Sequence, residues 1–190
     1  MKKLIPLCLL SASVGAVELT GNVGYATEYH YRGIFQNSES FNAGVELDAG
    51  NLNVGVWAGD VGDGAEVDLY GSYTWDLGDL SVSTGMTGYY YTGDFDETYE
   101  EVNLGAEYKF ISVEHSIGKW DGEGGMDYDF TSVTATYKNF YTTYGIFGKE
   151  FSGDYTEVGY GTTLKGVDVG VSYITTEGSD SLVGTISRSF

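Results

Sequence analysis

The sequence predicts an all-β chain: a transmembrane antiparallel up-and-down β-barrel of about twelve strands, placed after an N-terminal signal peptide. Three observations carry this. Polarity alternates with a period of two residues almost from Glu18 to Phe190, the connections between runs are alternately short and long, and the single proline, Pro6, lies in the export signal. Period-two alternation gives a strand one apolar and one polar face. Short turns at one end and longer loops at the other are the pattern of a barrel threaded through a membrane.

The signal reads as residues 1–16, with the barrel expected over residues 17–190 as one domain. Met1-Lys2-Lys3 is a charged start, Leu4 to Leu10 an apolar stretch, and Ser11 to Ala16 a small-residue cleavage site. That apolar stretch falls short of the roughly 20 residues a helical span requires. Cys8 is the chain's one cysteine, so the expected mature protein has neither a disulfide nor a thiolate metal site. Leu7 before Cys8 and the brevity of the apolar run argue against lipid attachment.

The elements follow in order. The first run puts Leu19, Val23, Tyr25, Tyr29 and Tyr31 on one face and Thr20, Asn22, Gly24, Ala26, Glu28, His30 and Arg32 on the other, so it reads as one strand reaching Arg32. Phe41 to Ala49 and Leu52 to Ala58 flank Gly50-Asn51, the signature of a tight hairpin. Runs at Val67 to Trp75, Leu80 to Met86, Val102 to Phe110 and Ile111 to Ile117 continue the pattern. Val133 to Tyr137, Phe140 to Ile146, Val158 to Leu164, Val167 to Tyr173 and Leu182 to Phe190 complete it. Short turns are expected near Gly50, Asp76 to Asp79, Phe110, Lys138-Asn139 and Lys165-Gly166. Longer outer loops are expected at Gly33 to Ser40, Asp60 to Ala65, Gly93 to Glu97, Asp121 to Asp129, Ser152 to Asp154 and Glu177 to Asp180.

A soluble β-sandwich would also alternate, with its apolar face as core. The signal, the loop parity, the missing prolines and the terminal Phe190 favour the barrel. So do aromatics near strand ends, among them Tyr29, Tyr31, Tyr73, Trp75, Tyr90, Tyr108, Phe110, Tyr137, Phe140 and Tyr173, which suit an interfacial girdle. A C-terminal aromatic on an alternating strand is the assembly signal of the class. The expected partners are therefore the barrel-assembly machinery, outer-membrane lipid and lipopolysaccharide, and small solutes or ions, in a Gram-negative cell outer membrane reached through the periplasm.

Leu19-Thr20-Gly21-Asn22-Val23, Tyr31-Arg32-Gly33-Ile34-Phe35-Gln36 and Asp68-Leu69-Tyr70-Gly71-Ser72-Tyr73 resemble a bacterial family of small exported proteins labelled TorF-type porins. The resemblance is strongest over the first half of the chain. It implies an outer-membrane location and a pore, and brings no catalytic residue or ligand with it.

On the polar faces, Glu28, His30, Arg32, Glu46, Asp48, Asp68 and Glu107 are the expected pore-lining charges, among small residues such as Asn22, Gly44, Ser72 and Asn103. Charged rings of this kind set ion selectivity. Glu28 and Arg32 could equally brace the wall by pairing with each other or with lumen partners. Acids gather in the outer loops, at Asp94, Asp96 and Glu97 and at Asp121, Glu123, Asp127 and Asp129, while Lys109, Lys138 and Lys165 lie by the short turns. A negative vestibule enriches cations, so the expectation is a passive, cation-preferring channel in which neutralising Glu28 weakens the preference and neutralising Arg32 strengthens it.

The chain's 28 acidic residues against 9 basic ones exclude nucleic acid, whose phosphates need Lys and Arg. No cofactor or metal is expected, since the Asp121 to Asp129 segment lacks EF-hand spacing, although divalent bridging to lipopolysaccharide is open to it. A lipid-modifying barrel enzyme would need an activated nucleophile, and with only His30 and His115 available no catalytic residue is assigned. A non-conducting structural or adhesin-type barrel is the other reading.

Overall fold

A computed structural model describes residues 17–190; the expected signal, with Cys8, lies outside the described residues. Twelve strands close a barrel in which each pairs antiparallel with its sequence neighbour. They are β1 (Val17–Ala26), β4 (Ser40–Ala49), β5 (Leu52–Gly62), β6 (Gly64–Leu77), β7 (Leu80–Tyr91), β8 (Tyr99–Tyr108), β9 (Ile111–Trp120), β10 (Met126–Tyr137), β11 (Phe140–Lys149), β12 (Asp154–Leu164), β13 (Val167–Thr176) and β14 (Asp180–Ser189). Two short strands, β2 (Tyr29–Tyr31) and β3 (Ile34–Asn37), form a separate hairpin between β1 and β4. At about 3.3 Å per residue and a tilt near 45°, ten-residue strands cover roughly 25 Å, the height of a lipid-facing band.

The short turns enforce the register. Lys165 and Gly166 both have positive φ, 54° and 80°, which is the type I′ geometry that follows strand twist. Lys109 and Lys138 stand at φ 56° and 55° in the equivalent turns and lay their ammonium groups over Tyr108 and Tyr137, at 4.8 and 5.3 Å from the ring centroids. With register so fixed, Val54, Gly71, Met86, Val102 and Ile117 form one row across five strands, all on the outer face. A slip of one residue would turn the whole row inward.

The outer face carries exposed large apolar side chains on every barrel strand, including Phe41, Leu69, Met86, Val133, Tyr173 and Leu182. Such a continuous belt on a water-soluble monomer would drive aggregation, whereas in a bilayer it is the solvated surface. Tyr73 against Trp75 and Phe140 against Tyr160 sit where the short-turn interface is expected, at centroid separations of 4.8 and 4.9 Å. At the seam, Gly21 and Phe190 exchange both backbone hydrogen bonds, at 2.9 and 3.0 Å. The Phe190 ring lies so close over Gly21 that a Cβ there would meet its Cε2 at 2.7 Å.

Three expectations are corrected. The first strand ends at Ala26, not Arg32, so Tyr29 and Tyr31 lie on the inner hairpin and not in the girdle. The outer loop expected over Asp121 to Asp129 shrinks to residues 121–125, because Asp127 and Asp129 pair with Lys119 and Ile117 in the β9–β10 ladder. The loop expected over Asp60 to Ala65 is likewise nearly closed, since β5 and β6 pair up to Gly62 and Gly64 across a bulge. The apolar core lies inside the barrel, against one wall: Tyr128, Phe130, Phe147, Tyr155, Ile174 and Val183.

Gly64 sits at φ 109°, and a Cβ there would meet the Thr92 carbonyl oxygen at 1.8 Å. Gly64→Ala should therefore cost at least about 1–3 kcal/mol through backbone strain, before the clash is counted. Gly178→Ala, with nothing within 4 Å of the added atom, should stay within about 0.5 kcal/mol of wild type. Urea unfolding in lipid vesicles reads both.

Candidate functional site

The chain leaves the wall at Ala26. Thr27 still bonds β14, its amide donating to the Gly184 carbonyl at 2.9 Å and its hydroxyl accepting from the Gly184 amide at 2.8 Å. The next residues then turn inward and cross the lumen as β2 and β3. The turn between them is Arg32-Gly33, at φ 50° and 81°. Gly33 is required twice over, for its conformation and because a Cβ would overlap Tyr155 on β12 at 2.5 Å.

Arg32 projects from the hairpin tip into the opposite wall. Its guanidinium forms a bidentate pair with Glu101 on β8, Nη2 lying 3.0 Å from Oε2. Nη2 also donates to Glu114 Oε1 at 3.1 Å and Ser116 Oγ at 3.0 Å on β9. The Phe130 ring of β10 covers the group, with its centroid 4.2 Å from Cζ. Both partners are withdrawn from solvent, the side chains being 9% exposed for Arg32 and fully buried for Glu101.

Glu101 is saturated with donors. Tyr128 and Tyr89 donate their hydroxyls to it at 2.8 and 3.1 Å, Asn103 its amide at 2.9 Å, and Tyr31 its hydroxyl at 3.4 Å. A carboxylate removed from water persists only with such compensation. Along β2, Tyr29 reaches both Glu66 oxygens on β6 at 3.2 Å and packs on Trp57 at 5.6 Å. Tyr31 packs edge-on against Tyr89 at 5.3 Å. A two-stranded hairpin alone is marginally stable; this one is held by contacts to the wall it faces.

Beside the hairpin the lumen holds a cavity of about 450 Å³. Small groups line it from β1, β4, β13 and β14, among them Asn22, Asn42 and Ser172, and from β6 to β8, among them Thr74, Ser83 and Asn103. Carboxylates line it from around the wall: Glu46 on β4, Asp68 on β6, Glu107 on β8, Glu114 on β9, Glu157 on β12 and Asp168 on β13. Among the described lining residues Arg32 is the one permanent cation, and it is already neutralised.

The expected pore-lining residues divide. Glu46, Asp68 and Glu107 line the cavity from the strands where alternation put them, Glu46 accepting from the Tyr70 hydroxyl at 2.7 Å. Asp48 faces the short-turn end, accepts from Asn53 at 2.8 Å and is outside the cavity lining. Glu28, His30 and Arg32 also line it, but from the inner arm and not from the wall. Glu28 contacts His30 Nε2 at 3.0 Å, and hydrogen bonds from His30 and then Ser181 hold its carboxyl below the ordinary range. Arg32 pairs with Glu101 and Glu114, not with Glu28.

At the outer rim Asp94 and Glu97 are exposed, whereas Asp96 accepts from Tyr99 and Trp120 at 2.7 and 3.0 Å. Asp121 pairs with Lys119 at 3.2 Å and Glu123 is free on the surface. Asp127 and Asp129 alternate outward from Tyr128 and Phe130, on the external face of β10. Among the described residues no group of three or more His, Cys, Asp or Glu could hold a metal ion. Glu101, Glu66, Glu114 and Glu157 were not singled out from the sequence. Their only signal is phase: Glu101 falls on the polar face with Asn103 and Glu107.

No protein-family model and no curated protein matches the chain. Solved structures do. The KdgM porin superposes with a TM-score of 0.65 at 9% identity, over 90% of this chain and 99% of that one. A chain from a study of in-meso crystallization of membrane proteins superposes at 0.61 with 9% identity, over 90% and 83%. At such identity the likeness shows a shared barrel fold.

Removing one member of a buried ion pair costs about 3–5 kcal/mol, because the other charge is left unpaired. Arg32→Ala should lower the stability of the folded barrel on that scale, and Arg32→Ala combined with Glu101→Gln should recover part of the loss. A double-mutant cycle from urea midpoints measures the coupling; additive effects would mean that the pair does not hold the hairpin.

Proposed function

We propose that the protein is an outer-membrane porin-like channel for passive diffusion of small solutes, with a preference for cations. The observation that carries this is the polar, acid-lined cavity inside a barrel whose outside is apolar on every strand. Water and ions have a wall to follow on the side of small hydroxyl and amide groups, while the aromatic core and the hairpin narrow the other side. The inward-folded arm is the constriction, and its one permanent cation is cancelled by Glu101 and Glu114. What a passing ion meets is the field of the remaining carboxylates. The sequence resemblance to TorF-type porins supports the same reading.

The location proposed is the Gram-negative outer membrane. Phe190, which closes the seam against Gly21, then serves as the aromatic residue read by the barrel-assembly machinery, and the exposed rim acids face lipopolysaccharide. A heat-modifiable band in outer-membrane fractions is the expected result, and a soluble periplasmic monomer would contradict it.

The second reading, a non-conducting structural or adhesin-type barrel, is favoured by one feature: the aromatic core and the docked hairpin fill much of the outer half. Conductance in planar bilayers separates the two. Under a salt gradient the reversal potential should indicate cation preference, strongest in dilute salt, because the Debye length is about 30 Å at 0.01 M and about 3 Å at 1 M. Glu46→Gln with Glu107→Gln should reduce the preference; anion preference or absent current would count against the channel.

A further inference from the structure

The pocket that receives Arg32 is built without the hairpin. Glu101 comes from β8, Glu114 and Ser116 from β9, and Phe130 from β10. Its geometry is also set from the wall. Tyr128, Tyr89 and Asn103 orient Glu101 at 2.8, 3.1 and 2.9 Å, Asn103 ties it to Ser116 at 3.0 Å, and Thr87 holds Asn103 at 2.9 Å. The parts suit a planar delocalised cation, with a carboxylate edge-on for two parallel N–H donors, a second carboxylate and a hydroxyl sharing the second Nη2 hydrogen, and an aromatic face 4.2 Å above. A compact ammonium would satisfy neither the fork nor the face as well.

The occupant is carried on a short hairpin, the kind of element that detaches as a unit. We propose that this cradle is a guanidinium-binding site of the lumen, that Arg32 is its tethered occupant, and that solutes bearing a guanidinium group displace Arg32, release the hairpin from the β8–β10 wall and widen the outer half of the passage. The proposal rests on the channel reading above and names its solute class. A tethered group competes at an effective concentration on the order of millimolar, so free guanidinium solutes act in that range or above it.

The test uses the full barrel refolded in lipid, with L-arginine and L-lysine as probes. Arg32→Ala empties the cradle while leaving its wall intact. L-Arginine should then raise the unfolding temperature and reduce the ion current of Arg32→Ala at concentrations at least about tenfold lower than L-lysine, a difference of about 1.4 kcal/mol. Glu101→Gln in that background should abolish the distinction. In the wild type L-arginine should increase the current where L-lysine does not. Arg32→Lys, which keeps the charge but lacks the fork, should show the same discrimination and serves if Arg32→Ala does not fold. Equal responses to the two amino acids in the Arg32 variants and the wild type overturn the proposal. A barrel that conducts without discriminating refutes the site and keeps the channel, whereas an arginine-specific thermal shift without current refutes the channel and keeps the site.

Discussion

The arrangement of the lumen depends on one buried carboxylate. Glu101 lies fully inside the wall and would be costly there as an isolated charge. Three donors from β7, β8 and β10 orient it, and Arg32 neutralises it from across the barrel. The net gain from such a pair over an apolar substitute is small, because desolvation offsets most of the attraction. What it confers is position: with Arg32 as the partner of Glu101, the hairpin tip lies against β8, β9 and β10.

From that anchor the rest of the interior follows. With Arg32 in its cradle, Gly33 sits against Tyr155, Tyr31 against Tyr89, and Tyr29 reaches Glu66. The apolar cluster centred on β10 to β12 occupies space the arm does not, and the cavity is left to the small residues of β1, β4, β6 to β8, β13 and β14. A twelve-stranded barrel is wider than one filled by side chains alone, and here an inward loop and an eccentric core share the task of narrowing it. The electrostatic consequence is separate from the steric one. The arm brings a cation into the lumen and cancels it in the same contact, so the cavity keeps its acidic character.

The barrel was legible in the sequence because its physics is local: each strand shows its two faces, and each short turn shows its Gly or Lys-Gly, Lys-Asn or Lys-Phe pair. The hairpin was not. Tyr25, Tyr29 and Tyr31 keep the phase of the first strand through Ala26-Thr27-Glu28, where no Gly or Pro marks the departure, so alternation carries the strand six residues too far, to Arg32 in place of Ala26. The real punctuation is Arg32-Gly33, which alternation alone reads as the start of a loop. Glu101 was invisible for a different reason. Its phase puts it in the lumen, but nothing in its neighbours separates a buried, saturated acid from Glu107, which faces the cavity; that distinction depends on an arginine 69 residues away. Asp127 and Asp129 read as loop, since acids beside Gly124-Gly125 suggest a turn, yet cross-strand pairing with β9 extends the ladder through them.

The position of the hairpin is the claim on which all of this stands, and proton–proton contacts between Gly33 and Tyr155 in the unaltered barrel test it directly. The place a Cβ would take at Gly33, which a glycine hydrogen occupies, lies 2.5 Å from Tyr155 Cβ and 2.7 Å from its Cγ. In the barrel folded in lipid nanodiscs, nuclear Overhauser effects should join the Gly33 Hα protons to the Hβ and ring protons of Tyr155. Their absence, with both residues assigned, would place the hairpin elsewhere and contradict the account.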